Sequence, residues 1–123
     1  MIGVNIEGPR GGKIREEDKI FRFINESIDI LGLEKLEFGL TVIVTNQFEE
    51  SHSDAVGFCY GDTDEIVVEL ARKDWNGDKN NIFQILSHEM IHVRQCAKGE
   101  RMLENPARKH EGFLFDLVME RLV

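Results

Sequence analysis

The pattern of hydrophobic and polar positions predicts a helix in the first third of the chain. From residue 16 to about residue 33, apolar residues recur at spacings of three and four, which is typical of an amphipathic helix with one apolar stripe. The stripe consists of Ile20, Phe23, Ile24, Ile28 and Leu31. Gly32 follows, where a glycine commonly ends a helix. We therefore expect this helix to stop at Gly32.

Strand-like segments come next. Residues 40–45 are β-branched and almost continuously apolar, which predicts a strand buried on both faces. Residues 46–54 are polar and indicate a loop. Residues 55–60 and 65–70 flank the turn-forming sequence Gly61-Asp62-Thr63-Asp64. This spacing predicts a β-hairpin.

Two more helices are expected in the C-terminal part. One covers residues 79–98 and ends at Gly99, and the other covers residues 106–122, with Pro106 in its first turn. The glycine-rich residues 1–13 are expected to form a flexible or loosely strand-like leader. The order of elements predicts one α+β domain over residues 1–123, with the helices gathered on one side of a small, mostly antiparallel sheet.

Composition narrows the class of protein. The chain has 123 residues, of which 41% are hydrophobic and 31% charged, values typical of one soluble globular domain. No apolar run approaches the roughly 18 residues of a membrane span, and no apolar signal core opens the chain. Two cysteines without CxxC spacing suggest a reducing, cytoplasmic setting. The net charge of −8 argues against nucleic acid as the main partner.

The strongest motif is His88-Glu89-Met90-Ile91-His92, which matches H-E-x-x-H. On a helix, residues four apart lie on one face about one turn apart, so both imidazoles can reach one metal ion. Glu89 is rotated by about 100° from His88 and can flank the open coordination position of that ion. A carboxylate placed there can take a proton from metal-bound water. The motif predicts a Zn²⁺ site with His88 and His92 as ligands and Glu89 as the catalytic base.

The helix around the motif has a separate apolar face. With His88 at 0° on a helical wheel, His92 falls at about 40°, and the apolar residues fall between about 120° and 200°. Those apolar residues are Ile82, Leu86, Met90, Val93 and Ala97. Because the apolar stripe would face the core, we expect both histidines to face a cleft.

A catalytic zinc site needs a third protein ligand. The chain contains four histidines. His110 lies on the predicted last helix, far enough beyond the motif for that helix to fold back, and is the preferred candidate. Glu111 and Asp116 are the alternatives. His52 lies in a serine-rich polar loop and is expected to be solvated.

The motif and the last helix resemble a known family. Ser87 and the motif, followed by Lys109-His110-Glu111-Gly112-Phe113-Leu114-Phe115, resemble the SprT-like zinc metallopeptidases, including small versions from phages and bacteria. In that family the motif helix precedes a third zinc histidine in a segment similar to H-G-x-x-F. Here the glycine comes one residue later than in that pattern. From residue 40 onwards the resemblance implies a zincin-like domain in which His88, His92 and His110 hold zinc and Glu89 is the base.

These observations predict a zinc metallopeptidase that acts on a peptide or protein substrate in the cytoplasm. If the protein is phage-encoded, it would act in the cytoplasm of the host cell. By resemblance, the edge strand of the hairpin would bind an extended peptide by strand addition. Tyr60 and Arg94 are candidates for oxyanion stabilisation, but are more typical of sheet and surface residues. Two alternatives stay open: a zinc amide hydrolase acting on a cell-wall or other non-protein amide, and a catalytically silent, metal-stabilised binding module.

Overall fold

The computed structural model describes residues 2–8, 17–45, 57–71 and 79–122. In chain order, the elements are β1 (Ile2–Glu7), α1 (Glu17–Ile30), β2 (Phe38–Thr45), β3 (Gly57–Gly61), β4 (Glu65–Ala71), α2 (Lys79–Ala97) and α3 (Glu104–Leu122). This confirms the predicted α+β class, with an N-terminal helix, a helix carrying the motif and a C-terminal helix. The predicted polar loop over residues 46–54, with His52, lies outside the described residues.

The four strands form one mixed sheet in the order β1-β2-β4-β3. Both neighbours of β2 run parallel to it, whereas β3 pairs antiparallel with β4. The expected, mostly antiparallel arrangement is therefore corrected: only the predicted hairpin has it. The helix α1 lies between β1 and β2 and carries the chain back to the starting end of the sheet. This crossover makes β1 and β2 parallel.

The N-terminal segment, expected to be flexible or loosely strand-like, contributes a strand over its first residues. Ile2–Glu7 pairs with β2 in a register that places Ile2 beside Phe38. Ile2, Val4 and Ile6 are half-buried and pack against the core. Their alternation with more polar residues fits an edge strand with one covered face. The remainder of the expected leader, from residue 9, is outside the part of the chain that the structure describes.

All three helices contribute to a core on one face of the sheet. Along β2 the residues alternate strictly between buried and half-buried, so the prediction of a strand buried on both faces is corrected to burial on one face. From the helices, Phe23 of α1 and Phe83 of α2 meet in this core with ring centroids 5.2 Å apart. The packing of α2 here determines which of its sides remains free for the site.

Glycines end α1 and α2 as the sequence predicts. Gly32 has φ of 70° and Gly99 has φ of 71°, the left-handed region that favours glycine. After α1, the Leu33 amide donates to the Ile28 carbonyl at 2.9 Å. After α2, the Glu100 amide donates to the Gln95 carbonyl at 2.8 Å. Both bonds are those of a Schellman cap, so α2 stops where the chain must turn back into α3.

Replacing Gly32 isolates the cost of this backbone conformation. A β-carbon at Gly32 would meet nothing within 4 Å, so Gly32→Ala introduces strain without a clash. We expect it to lower the free energy of unfolding by about 1 kcal/mol, measured by urea denaturation. Gly32→Asn should cost less, because asparagine tolerates this conformation better. Equal stability of the wild type and Gly32→Ala would contradict the assigned cap.

Candidate metal centre

The two motif histidines lie together on α2. Their ring centroids are 4.9 Å apart and the rings meet edge to face at 78°. His92 is buried, whereas 18% of the His88 side chain is exposed. The apolar stripe on the other side of the helix packs into the core as predicted, through Ile82, Leu86, Met90 and Val93. Core packing thus sets the rotation of α2, and the rotation sets the direction of both imidazoles.

A third side chain, Glu104, joins the pair from the first turn of α3. One carboxylate oxygen of Glu104 lies 2.8 Å from Nε2 of His92, and the other lies 3.1 Å from Nε2 of His88. One ligand atom from each of the three side chains lies within 4.8 Å of the others. His88, His92 and Glu104 could therefore hold a metal ion.

The other nitrogen of each imidazole faces an oxygen acceptor. Nδ1 of His88 lies 2.6 Å from Oε2 of Glu111, and Nδ1 of His92 lies 2.8 Å from Oε1 of Gln95. The Gln95 amide is itself held by the backbone of Leu103, with which it exchanges two hydrogen bonds. Acceptors at Nδ1 favour imidazoles protonated there, which leaves both Nε2 lone pairs free to bind a metal.

In their neutral form, the two imidazoles have fewer N–H groups than neighbouring acceptor oxygens. Each of the two rings faces acceptor oxygens at both nitrogens, but a neutral imidazole carries only one N–H. With Nδ1 donating, Nε2 of each ring and a carboxylate oxygen of Glu104 confront each other as two acceptors. A cation between them would bind all three groups at once. The local chemistry therefore fits a metal ion bound by two nitrogens and one oxygen.

Glu89 is enclosed beside this centre. It is 5% exposed, and its Oε2 has no hydrogen-bond partner among the described residues. Burial raises the pKa of Glu89 to about 7, against the lowering effect of the two histidines. The strand β3 closes over it, since a β-carbon on Gly57 would lie 3.2 Å from Oε1 of Glu89. The carboxylate is thus ready to exchange a proton near neutral pH and lacks a partner for one oxygen.

The centre opens into a cleft of about 790 Å³. Its wall on α2 and β3 consists of Gln84, Ile85, His88, Glu89 and Gly57, and its wall on α3 consists of Glu104, Arg108, Glu111, Gly112, Phe115 and Asp116. The volume is within the range of ligand pockets, roughly 300 to 1,000 Å³. A substrate in this cleft would reach both His88 and Glu89.

His110, the expected third ligand, is not part of this cluster. It is exposed and lines a separate pocket of about 200 Å³ with Arg94 and Phe113. The reason is helical phase: Glu104 and Glu111 are seven residues apart and lie about 20° apart around α3, whereas His110 lies about 100° from Glu111. The structure therefore brings Glu104, and not His110, to the two motif histidines.

The two alternatives to His110 lie on the cleft side of α3 without replacing Glu104. Glu111 contacts the outer nitrogen of His88, and Asp116 lines the cleft. Sequence reasoning missed Glu104 because α3 was predicted to begin at Pro106, two residues too late. The available signal was the separation of Glu104 from Glu111 by two helical turns, which places them on one face.

Neither candidate for oxyanion stabilisation lies in the cleft. Tyr60 is 47% exposed on β3; partial burial raises the pKa of its hydroxyl, and the carboxylate of Glu69 adds to the effect. Arg94 is exposed and borders the second pocket with His110. Both occupy the sheet and surface positions that are typical of these residue types. Arg108 is the cation that lines the cleft among the residues described.

Comparison of the chain with models of protein families, with curated proteins and with solved structures found no match. The resemblance to SprT-like metallopeptidases therefore stays a hypothesis that depends on the motif and the residues after it. What can be concluded about chemistry comes from the site itself.

Substitution of the third ligand tests the metal centre. Glu104→Ala should weaken the binding of Zn²⁺, used as a probe and followed by titration calorimetry, by at least about tenfold, because losses of this size follow even when only outer contacts of a ligand are removed. His110→Ala is the matched control on the same helix and should leave the affinity unchanged. The opposite pattern would restore His110 as the ligand.

The burial of Glu89 predicts a pH-dependent loss of stability in the metal-free protein. The pKa of Glu89 is about 7 in the folded protein, against an ordinary value of 4.5. Protonation of Glu89 therefore stabilises the fold fully below about pH 4.5. This stabilisation is lost as the pH rises through 7. Compared with Glu89→Gln, the wild type should lose on the order of 2 to 3 kcal/mol of unfolding free energy between pH 4.5 and 8. Urea denaturation with a chelator present measures this difference, and parallel curves for the two proteins would contradict it.

Proposed function

We propose that the protein is a zinc-dependent metallopeptidase. The observation that carries the proposal is the convergence of His88, His92 and Glu104 on one point, beside a buried carboxylate with an unpartnered oxygen. Two histidines and one glutamate form a donor set found in catalytic zinc sites, which keep a further coordination position open. A purely structural zinc site is closed by four protein ligands, and among the described residues the ion-binding group has three.

When bound, zinc would supply Lewis acidity, which polarises a carbonyl and makes water more acidic. The chain's own residues would do the remaining work. Glu89 would accept a proton from the attacking water and deliver it to the leaving amine, roles that its enclosed position in the cleft beside His88 supports. Glu111 and Gln95 would hold the two imidazoles in the metal-binding tautomer.

The surroundings of the site support a peptide as the substrate. Among the described strands, β3 lies at an edge of the sheet, and its first residue, Gly57, lines the cleft. An extended peptide could therefore pair with β3 while its backbone passes His88 and Glu89. The resemblance to SprT-like metallopeptidases supports the same substrate class. We also propose a cytoplasmic place of action, which the free cysteines Cys59 and Cys96 support. None of the helices that the structure describes is both long enough and apolar enough to cross a membrane.

The buried carboxylate argues against a catalytically silent binding module. Burying Glu89 without a partner for Oε2 is unfavourable to folding, and a site that only binds a metal gains nothing from it. A role as proton acceptor in a reaction would explain why the fold tolerates the unfavourable burial of Glu89. No feature of the cleft favours a non-protein amide over a peptide.

The Glu89→Gln variant tests the proposal. Zinc should bind with unchanged stoichiometry, measured by elemental analysis, while hydrolysis of a peptide mixture, followed by mass spectrometry, should fall by at least about a hundredfold, the usual contribution of a general base. Glu100→Gln is the matched control, because Glu100 is exposed in the loop after α2 and should keep full activity. A zinc-loaded wild type that hydrolyses no peptide would overturn the proposal and favour the binding module.

A further inference from the structure

Gly112 stands in the middle of α3 without a structural reason for being glycine. Glycine is, after proline, the least favourable residue in a helix interior. The backbone at Gly112 is helical, so no left-handed conformation requires it. Among the described residues, no atom would lie within 4 Å of a β-carbon there, so none of them packs closely enough to require glycine. What distinguishes Gly112 is that it lines the cleft.

Two apolar side chains line the cleft together with Gly112. Ile85 lies on α2 one turn before His88, and Phe115 lies on α3 one turn after Glu111; both are half-buried. The contacts of His88 with Glu111 and of His92 with Glu104 show that α2 and α3 run antiparallel. Ile85 and Phe115 therefore lie about one turn from the metal centre toward the same end of the cleft. A side chain at position 112 would add to the wall of this cleft.

We propose that Gly112 keeps open an apolar pocket, between Ile85 and Phe115, that receives a large apolar side chain of the substrate. The inference rests on the proposed peptidase function and names its substrate class: peptides with leucine, methionine, phenylalanine or a similar residue close to the cleaved bond. A residue with a higher helix propensity would stabilise α3 at this position, but its side chain would occupy the pocket.

The distance between the proposed pocket and the metal centre indicates which residue of the substrate the pocket receives. One helical turn corresponds to about 5.4 Å along α2. An extended peptide advances about 3.3 Å per residue. The pocket therefore receives a side chain within two residues of the scissile bond.

The first test measures selectivity. Zinc-loaded wild type should cleave peptides with a large apolar residue at one of these positions at least about tenfold better than the alanine counterparts, a ratio typical of apolar pockets. Gly112→Leu, which fills the pocket, should lose this preference while binding zinc as before. Glu120→Leu, an exposed position of the same helix outside the cleft, is the matched control and should keep the preference.

The second test is independent of hydrolysis. In the Glu89→Gln background, a phenylalanine-containing peptide should bind more tightly than its alanine counterpart by fluorescence anisotropy, and Gly112→Leu should abolish the difference. Gly112→Ala, which adds one methyl group to open space, should raise the Tm by about 2 to 6 °C. A lower Tm would show that Gly112 is needed for packing and would overturn the proposal.

The outcomes separate the two hypotheses. A wild type without any peptide hydrolysis refutes the peptidase function. A wild type that hydrolyses peptides without an apolar preference, or a Gly112→Leu variant that keeps the preference, refutes the pocket and leaves the peptidase function standing.

Discussion

The burial of one stripe of α2 is the constraint on which the candidate metal centre depends. Ile82, Leu86, Met90 and Val93 are fully buried in the core, and their burial allows the helix only one rotation. Given that rotation, a spacing of four residues directs His88 and His92 to a common point. The position of the ion-binding group is thus a consequence of hydrophobic packing on the opposite side of the same helix.

Three polar side chains of the centre, His88, His92 and Glu104, could hold a cation. Both imidazoles have acceptors at both nitrogens, and Glu89 keeps one oxygen without a partner among the described residues. Groups of this kind are unfavourable in a folded protein unless something compensates them. A bound metal would compensate the imidazoles and Glu104, and a reacting water would engage Glu89. Until they are compensated, these groups reduce the stability of the fold.

The two helices contribute to the centre in different ways. α2 is anchored in the core and carries His88, His92 and Glu89. α3 returns across it with Glu104 at its exposed start, Glu111 beside Nδ1 of His88, and Gly112 in the wall of the cleft. The cap at Gly99 sets where the chain turns, so it also sets which residues of α3 stand opposite His88. The side chains that α3 contributes to the centre thus come from a helix whose position depends on a short loop.

Local sequence determined the elements and half of the site. Apolar periodicity specified α1 and the buried face of α2, turn residues marked the hairpin, and glycines and Pro106 marked helix ends. The H-E-x-x-H spacing placed two histidines and a carboxylate on one helix. The sequence alone predicted these features because all these signals act within one or two turns of chain. The sheet pairing, the role of β1 and the third member of the ion-binding group depended on tertiary structure. The first residues of the chain form a strand because β2 offers them a partner. Glu104, and not His110, meets the two histidines because the first residue and the helical phase of α3, neither visible in a motif, decide which side chain reaches them.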